Sequence, residues 1–152
     1  MPITWKADLD TGINVIDQQH RQIVEFINKL EAANAVGDQR KTREIVDACV
    51  AYTLSHFAFE ESLQEDAGYQ YVKAHKRVHE LFTRKVGEYQ ERIDLGEEIG
   101  VELHNMLARW LVSHIKHDDA DYVAAVKTNM ISLIKEKETK KETKGWFARF
   151  FK

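Results

Sequence analysis

Apolar residues recur at intervals of three and four along the chain, which is the spacing that one buried face of an α-helix produces. The first stripe begins near Asp17, a residue type that can cap a helix, and ends near Gly37. The second begins at about Asp38 and ends at the stop signal of Gly68. In chain order, the two stripes contain Ile16, His20, Ile23, Ile27 and Leu30, then Ile45, Cys49, Tyr52, His56, Phe59, Glu60 and Leu63. Two amphipathic helices are therefore predicted.

Two more stripes follow after short connections, one stopping at Asp94-Leu95-Gly96 and the other reaching His114. They contain Val72, His75, His79, Phe82, Val86, Tyr89 and Ile93, then Ile99, Leu103, Leu107, Trp110 and His114. Helices of similar length joined by short links pack antiparallel to their neighbours. The sequence therefore predicts an all-α fold, an up-down-up-down antiparallel four-helix bundle with an N-terminal arm.

The C-terminal part of the chain changes character twice. A short fifth helix that packs on the bundle is predicted from Val123, Val126, Met130 and Leu133. From Lys135 the chain reads KEKETKKETK, a charge run typical of a solvated helix extension or a disordered linker. It closes with GWFARFFK, which places aromatic residues among basic ones: Trp146, Phe147, Phe150 and Phe151. We therefore divide the chain into a bundle over residues 1–134 and a tail over residues 135–152.

Composition excludes several classes of protein. A chain of 152 residues can bury a core as one domain. Its single cysteine, Cys49, cannot form an internal disulfide, and the N-terminal MPITWKADLDTG lacks the apolar stretch of a secretion signal. No apolar run approaches the roughly 18 residues of a spanning helix, and the net charge of -3 gives no reason to expect nucleic acid as a partner. We therefore expect a cytoplasmic monomer.

Six polar residues occupy positions where the helical stripes require inward-facing apolar side chains: His20, His56, Glu60, His75, His79 and His114. A single histidine on an apolar face is more often a hydrogen-bonded core residue than a metal ligand. In an antiparallel bundle, however, the starts of the first and third helices lie at the same end as the finishes of the second and fourth. Six polar groups should therefore converge in the core, where burial is costly unless something satisfies them. This convergence predicts a metal centre.

The spacing of these residues agrees with ligand chemistry. Residues four apart on a helix differ by about 40° in direction, so His56 with Glu60, and His75 with His79, can each reach one site. So many ligands suggest two metal ions; zinc is possible if no redox chemistry is needed, but imidazoles with bridging carboxylates suit iron better. His104 precedes His114 by about 15 Å along the helix. We expect it to be a surface or flanking residue.

The stretch SHIKHDDADY, from Ser113 to Tyr122, leaves a choice of carboxylate. Regular helical geometry alone would pair His114 with Asp118, at about 40°, and would place Asp119 about 140° away. The two aspartates therefore remain alternatives on geometry alone.

Four motifs together resemble the ligand signature of the hemerythrins, in particular the single-domain bacteriohemerythrins: QQH at 18–20, HFAFE at 56–60, HKRVH at 75–79 and HIKHDD at 114–119. The segment WKADLDTGINVID is also similar to the family's entry segment, and the resemblance covers residues 3–134. It implies a non-haem di-iron centre with seven ligands: His20, His56, Glu60, His75, His79, His114 and Asp119. The two irons would be bridged by Glu60, Asp119 and an oxo or hydroxo group.

The resemblance also settles the choice of aspartate. It selects Asp119, and both lines of reasoning hold if the α-helix distorts or ends just after His117, so that Asp118 turns outward. His117 and Asp121 would then be surface groups or partners of the ligands.

The family pattern assigns a function to this centre. His75, His79 and His114 would complete one iron, while His20 and His56 would leave the other iron an open position for reversible dioxygen binding. We therefore expect oxygen transport, storage or delivery to an oxygen-using enzyme. The alternative is a sensor or scavenger of oxygen, nitric oxide or iron that uses the same centre. We do not expect an enzyme, since no acid, base or substrate groove accompanies the ligands.

Two further expectations concern the surroundings of the centre. Ile23, Phe57 and Trp110 lie within a turn of ligands and could line a dry ligand pocket, although such residues are also ordinary core. Basic and aromatic residues in the tail suit an anionic membrane surface or a hydrophobic groove on a partner protein. The alternative is a tail that folds back on the bundle or stays free.

Overall fold

The computed structural model describes residues 2–150, with side chains for residues 2–141. These residues are helical and contain no strand. A short 3₁₀ turn, Ala7–Leu9, precedes the helices, and a π-helical segment, Ile115–Asp119, separates the last two. The five α-helices are α1 (Asn14–Val36), α2 (Gln39–Asp66), α3 (Val72–Asp94), α4 (Gly100–His114) and α5 (Ala120–Phe150).

Helices α1 to α4 form the predicted bundle. Helix α1 packs against α2 and α4, and α2 packs against α3. His20, near the start of α1, lies beside Glu60, near the end of α2, which in turn contacts His75, near the start of α3. Successive helices therefore run in opposite directions, and the predicted up-down-up-down arrangement is confirmed.

Helix α1 begins before the predicted start at Asp17, and Asp17 is not its cap. The helix starts at Asn14, and the Asp17 carboxylate accepts hydrogen bonds from the backbone N–H and hydroxyl of Thr11, at 2.8 and 2.7 Å, and from the N–H of Gly12, at 3.1 Å. Asp17 thus ties the incoming loop to the first turn. The second helix begins as predicted at about Asp38, whose side chain caps α2 by accepting from the N–H of Lys41.

The N-terminal arm is fixed to α1 and to the π-helical segment. Ile3 and the side chain of Asn28 exchange two hydrogen bonds, from Ile3 N–H to Oδ1 at 2.7 Å and from Nδ2 to the Ile3 carbonyl at 3.0 Å. Farther along the arm, Asp8 pairs with Lys116 of the π-helical segment at 2.8 Å. The arm therefore contacts both the first helix of the bundle and the segment that follows its fourth helix.

Buried apolar side chains form a large and a small cluster. The large cluster fills the bundle from Ile23 on α1 to Ile115, and the small one consists of Ile13, Ile16, Tyr122 and Val126. His20 lies between Ile16 and Ile23 along α1, so a polar layer separates the clusters. Phe59, expected on the buried stripe of α2, is 38% exposed, because Phe57 turns inward instead.

Helix α5 is longer than the short helix that its apolar spacing indicated. Its first turns bury Tyr122 and Val126 against the bundle, whereas the side chains of residues 131–141 are all exposed. Of the two alternatives for the charge run, the structure contains the helix extension. The division at residue 134 stays a prediction, since the helix runs through it.

Most of the aromatic end of the tail lies outside the described residues. The side chains of Trp146, Phe147 and Phe150 are not described, and Phe151 is outside entirely. Among the helices that the structure describes, none is both long and apolar enough to cross a membrane.

Candidate metal centre

The structure brings all seven residues of the predicted ligand set to one buried place. Each is no more than 4% exposed, although they come from α1, α2, α3, α4 and the π-helical segment. Their donor atoms form two overlapping groups in which all atoms lie within 4.8 Å of one another. The groups are Glu60, His75, His79, His114 and Asp119, and His20, His56 and Glu60.

Glu60 lies at the middle, and its two carboxylate oxygens face different histidines. Oε1 is 2.7 Å from Nε2 of His75 and 3.2 Å from Nε2 of His79. Oε2 is 3.2 Å from Nε2 of His56 and 3.8 Å from Nε2 of His20. The carboxylate therefore spans two separate groups of imidazole nitrogens.

Asp119 divides its oxygens in the same way. Oδ1 is 3.2 Å from Nε2 of His75 and 3.1 Å from Nε2 of His114, while Oδ2 is 3.1 Å from Nε2 of His20. We call His75, His79 and His114 the three-histidine set, and His20 and His56 the two-histidine set. Both carboxylates thus connect the same two sets.

The π-helical segment explains how Asp119 reaches the centre. Hydrogen bonds in a π-helix join residues five apart, so the residue five after His114 returns to its face of the helix. Asp118 is not turned outward as expected, because its Oδ2 accepts from Nδ1 of His114 at 2.7 Å. One aspartate therefore faces each ring nitrogen of His114, and the helix continues into α5 rather than ending after His117.

Among the described residues, three outside the predicted set form hydrogen bonds with its side chains. Nδ1 of His56 donates to Oε1 of Gln19 at 2.6 Å, and the Tyr122 hydroxyl donates to Oε2 of Glu60 at 3.0 Å. The third is Asp118, whose four-residue spacing from His114 was visible in the sequence. Gln19 and His56 lie on different helices, so no local spacing could have indicated their contact.

The carboxylates at the centre stay ionised. Burial alone would raise the pKa of Glu60, but hydrogen bonds from His56, His75 and His79 outweigh it and hold the pKa well below its usual range. Burial and the Glu60 charge likewise oppose ionisation of Asp119, yet its histidine partners keep its pKa below the ordinary value. Both groups are therefore anionic acceptors, which is the state that a metal ion requires.

These two carboxylates also raise the pKa of two neighbouring groups, His75 and Tyr122. Burial lowers the pKa of His75, but its close contacts with the carboxylates of Asp119 and Glu60 more than compensate and raise the pKa to about 9. Burial, with the charges of Glu60 and Asp119, raises the pKa of Tyr122 far above its usual range. The phenol of Tyr122 is therefore a permanent hydrogen-bond donor to Glu60.

Unpaired polar atoms provide a test of whether a metal fits here. Both ring nitrogens of His20 and both carboxylate oxygens of Asp119 are buried and form no well-aligned hydrogen bond with the described residues, although Nε2 of His20 lies 3.1 Å from Oδ2 of Asp119. Nε2 of His79 and Nε2 of His114 lie only 3.0 Å apart. Such groups are costly to bury, but imidazole nitrogens and carboxylate oxygens that converge on common points are suitable ligands for first-row metal ions. The residues present therefore fit a pair of such ions.

A small apolar cavity adjoins the two-histidine set. It has a volume of about 10 Å³, and its lining includes both histidines of that set, His114 of the other set, and the three expected pocket residues, Ile23, Phe57 and Trp110. This is about the space that one water molecule needs. The Phe57 ring stacks on His79 with centroids 3.8 Å apart, and the Trp110 ring stacks on His114 at 4.3 Å.

Cys49, expected to be a packing residue, also lines this cavity. Burial raises the pKa of its thiol to about 11, so it remains a neutral apolar wall. It therefore adds no charge to the cavity.

The remaining polar residues of interest lie outside the centre. Of the two positions expected for His104, surface or flanking, the structure excludes the surface: it is 7% exposed, and its Nε2 lies 3.7 Å from a carboxylate oxygen of Glu31. The packing of α4 against α1 covers this position. His117 is exposed and donates from Nδ1 to the Ser113 carbonyl, and Asp121 accepts from the Tyr69 hydroxyl.

Comparison with known proteins identifies the same domain. Residues 11–126 match the Hemerythrin HHE cation binding domain. The chain is 50% identical over 150 residues to Bacteriohemerythrin from Pseudomonas aeruginosa (strain LESB58), covering 99% of this chain and 95% of that protein. It is 30% identical to Hemerythrin subunit alpha from Lingula reevii, over 80% of this chain and 92% of that protein.

Solved structures agree with the sequence matches. A crystal structure of wild-type hemerythrin superimposes with a TM-score of 0.79 at 28% identity, covering 83% of this chain and 98% of that one. Hemerythrin domains bind dioxygen at a non-haem di-iron centre, and the fold and donor set described above fit such a centre. The chain belongs to the hemerythrin family.

Proposed function

We propose that the protein binds dioxygen reversibly at a di-iron centre and serves oxygen transport, storage or delivery. The iron ligands in this proposal are His20, His56, Glu60, His75, His79, His114 and Asp119. The observation that supports it most is that the two oxygens of each carboxylate, Glu60 and Asp119, face different sets of histidines. Each carboxylate faces the three-histidine set with one oxygen and the two-histidine set with the other, as bridging ligands between two ions must.

The two sets are unequal, and this inequality supports a place for dioxygen. His75, His79 and His114 would hold one ion together with the two carboxylates, whereas the other ion would have one histidine fewer. The cavity is lined by both histidines of the smaller set, His20 and His56, but by only one of the larger set, His114. When bound, two ferrous ions supply the electron pair on which reversible dioxygen binding depends.

Side chains of this chain control the environment of that place. Ile23 and Phe57 are buried, and with Trp110 they form apolar walls against the cavity. An apolar enclosure keeps out water and its protons, which would otherwise release a reduced oxygen ligand. We propose that these three residues maintain reversibility. Their effect would appear as slower loss of the oxygenated form.

The physiological setting is a further part of the proposal. Cytoplasmic location, a monomeric state and a membrane or protein partner for the tail stay predictions from the sequence. Use of the same centre for sensing or scavenging oxygen, nitric oxide or iron is the alternative. A centre that takes up nitric oxide or iron but does not release dioxygen would favour that alternative.

Anaerobic loading with ferrous iron tests the proposal. Visible absorption is recorded under argon, then under oxygen, then under argon again. We expect a coloured form that appears with oxygen and fades on its removal. Irreversible conversion to ferric iron with release of peroxide would favour an oxidase, and failure to take up iron would overturn the proposal.

Two histidine variants sharpen this experiment. His56→Ala should abolish the coloured form, because it removes one of only two histidines from the smaller set. His117→Ala is the matched control, since His117 is exposed and contacts only the backbone of its own helix among the bonds described. Equal loss in both variants would show that the colour does not depend on the proposed ligands.

A further inference from the structure

The outer ring nitrogens of the histidines have chemically different partners in the two sets. In the three-histidine set, Nδ1 of His114 donates to the carboxylate of Asp118 at 2.7 Å, and the carboxylate of Glu61 lies 3.8 Å from Nδ1 of His79. In the two-histidine set, Nδ1 of His56 donates at 2.6 Å to Gln19, a neutral amide. Carboxylates thus accompany only one of the two sets in these contacts.

We infer that Gln19 is a positioning residue that orients His56 and gives its outer ring nitrogen an uncharged hydrogen-bond acceptor. This inference rests on the proposed di-iron function. Gln19 lies one residue before His20 on α1, so a single helical turn contributes a direct ligand and the partner of a second ligand on α2. In the motif QQH, Gln19 therefore contributes to the centre as well as His20.

The chemical consequence follows from what a hydrogen-bond acceptor does to imidazole. An anionic acceptor draws the N–H proton toward itself, makes the other ring nitrogen a stronger donor and stabilises the more highly charged ferric ion. A neutral amide fixes the ring and the tautomer with a much weaker effect on donor strength. Asp118 therefore favours the ferric state of its iron, while Gln19 favours the ferrous state at the iron where dioxygen binds.

The geometry also shows why the amide side chain is suited to this position. The 2.6 Å contact holds the His56 ring with Nε2 directed at Glu60 Oε2, 3.2 Å away. Gln19 is only half-buried, so a carboxylate could occupy the same place without a large desolvation cost. The amide is therefore not imposed by burial alone.

Substitution Gln19→Glu keeps the length and the acceptor but adds a charge, whereas Gln19→Leu removes the acceptor. We expect Gln19→Leu to weaken iron retention about 10-fold to 100-fold, in line with other outer partners of metal ligands. We expect Gln19→Glu to retain iron, but to raise the ferric to ferrous ratio at a fixed potential about tenfold, which corresponds to about 59 mV for a one-electron step. Gln18→Glu adds the same charge at the exposed neighbouring position and should change neither property.

A double variant that exchanges the two partners separates the effect of where the charge lies from the effect of the net charge. The double variant Gln19→Glu with Asp118→Asn carries the parent's net charge but exchanges the two kinds of partner. We expect its oxygenated form to convert to the ferric state at least tenfold faster than the parent's, measured by visible absorption in parallel with spectroelectrochemical titration of the irons.

The outcomes are distinct. If the parent takes up iron and releases dioxygen normally while Gln19→Glu and the double variant match it in potential and in decay rate, the role of Gln19 is overturned and the proposed function stands. If Gln18→Glu shifts the potential as much as Gln19→Glu does, only general charge matters and the inference is likewise overturned. If the parent takes up no iron, both proposals fall together.

Discussion

Two stretches of this chain each contribute a histidine and a carboxylate to the centre, but the backbone has a different helical conformation in each. In α2, His56 and Glu60 are four residues apart on a regular α-helix, and Glu60 reaches Nε2 of His56 at 3.2 Å. Between α4 and α5, His114 and Asp119 are five residues apart on a π-helical segment, with Asp119 at 3.1 Å from Nε2. The longer side chain uses the regular helix, and the shorter one needs the altered backbone.

The difference shows that side-chain length and backbone conformation together decide whether a carboxylate reaches the far ring nitrogen of the histidine. A glutamate four residues on can extend past the ring to its far nitrogen. An aspartate at that spacing reaches only the near nitrogen, as Asp118 does with Nδ1 of His114. The extra residue of the π-helical segment moves a second aspartate to the far side, so both ring nitrogens of His114 gain a carboxylate.

The largest effect is expected from the regular pair. Glu60→Gln removes the only carboxylate that contacts four of the five histidines and leaves a neutral amide in a fully buried place. We expect loss of the iron pair, with affinity reduced well over ~100-fold because a directly bound group outweighs the outer partners. Iron content after desalting measures it.

The neighbouring carboxylate provides the control for that variant. Glu61→Gln changes the next residue, which lies 3.8 Å from the outer nitrogen of His79. It should retain the iron pair. Comparable iron loss in both variants would contradict the central place of Glu60.

The second prediction removes the altered backbone itself. Deleting Lys116, an exposed residue of the π-helical segment, should restore regular helical bonding and move Asp119 into the place that Asp118 now has. The centre would lose its second bridging carboxylate and hold iron poorly, while far-ultraviolet circular dichroism stays helical. Lys116→Ala, which loses the Asp8 ion pair but keeps the chain length, should load iron normally.

The third prediction separates the two aspartates. Asp119→Asn should prevent stable loading, since both Asp119 oxygens face ligand nitrogens. Asp118→Asn keeps a hydrogen-bond acceptor for His114 and should weaken iron binding only about tenfold. Competition with a chelator measures both. A larger loss in Asp118→Asn would reverse the assignment.

The smallest effect is expected where α5 leaves the bundle. Removal of residues 136–152 should leave iron content and thermal stability unchanged, because the described side chains from 131 onward are exposed. The same truncated protein tests the tail in co-sedimentation with anionic vesicles. Unchanged partition would contradict membrane docking through this segment.

The sequence predicted much of this centre because four of its proposed ligands occur as pairs with regular helical spacing. His56 with Glu60 and His75 with His79 followed from period and topology alone, as did the bundle that brings them together. Asp119 did not, because the π-helical segment breaks the regular period on which such reasoning depends; a family resemblance was needed to select it.

Other features could not be predicted for different physical reasons. The contact between Gln19 and His56 depends on the distance between two helices, which no local pattern encodes. The burial of His104 depends on how closely α4 packs on α1, and spacing along one helix measures only its distance from His114. The start of α1 was misplaced because Asp17 binds the preceding loop through its side chain rather than capping the helix.

The ion pair between Asp8 and Lys116 joins the N-terminal arm to the segment that carries Asp119. During synthesis the arm leaves the ribosome first, whereas that segment emerges only after the four bundle helices. Asp8 therefore has to wait for Lys116 until all four bundle helices have been made, whereas Ile3 can already bind Asn28 of α1. A nascent chain that stops short of Asp119 lacks one of the proposed ligands, so iron capture would mark a chain that has been translated past all four bundle helices.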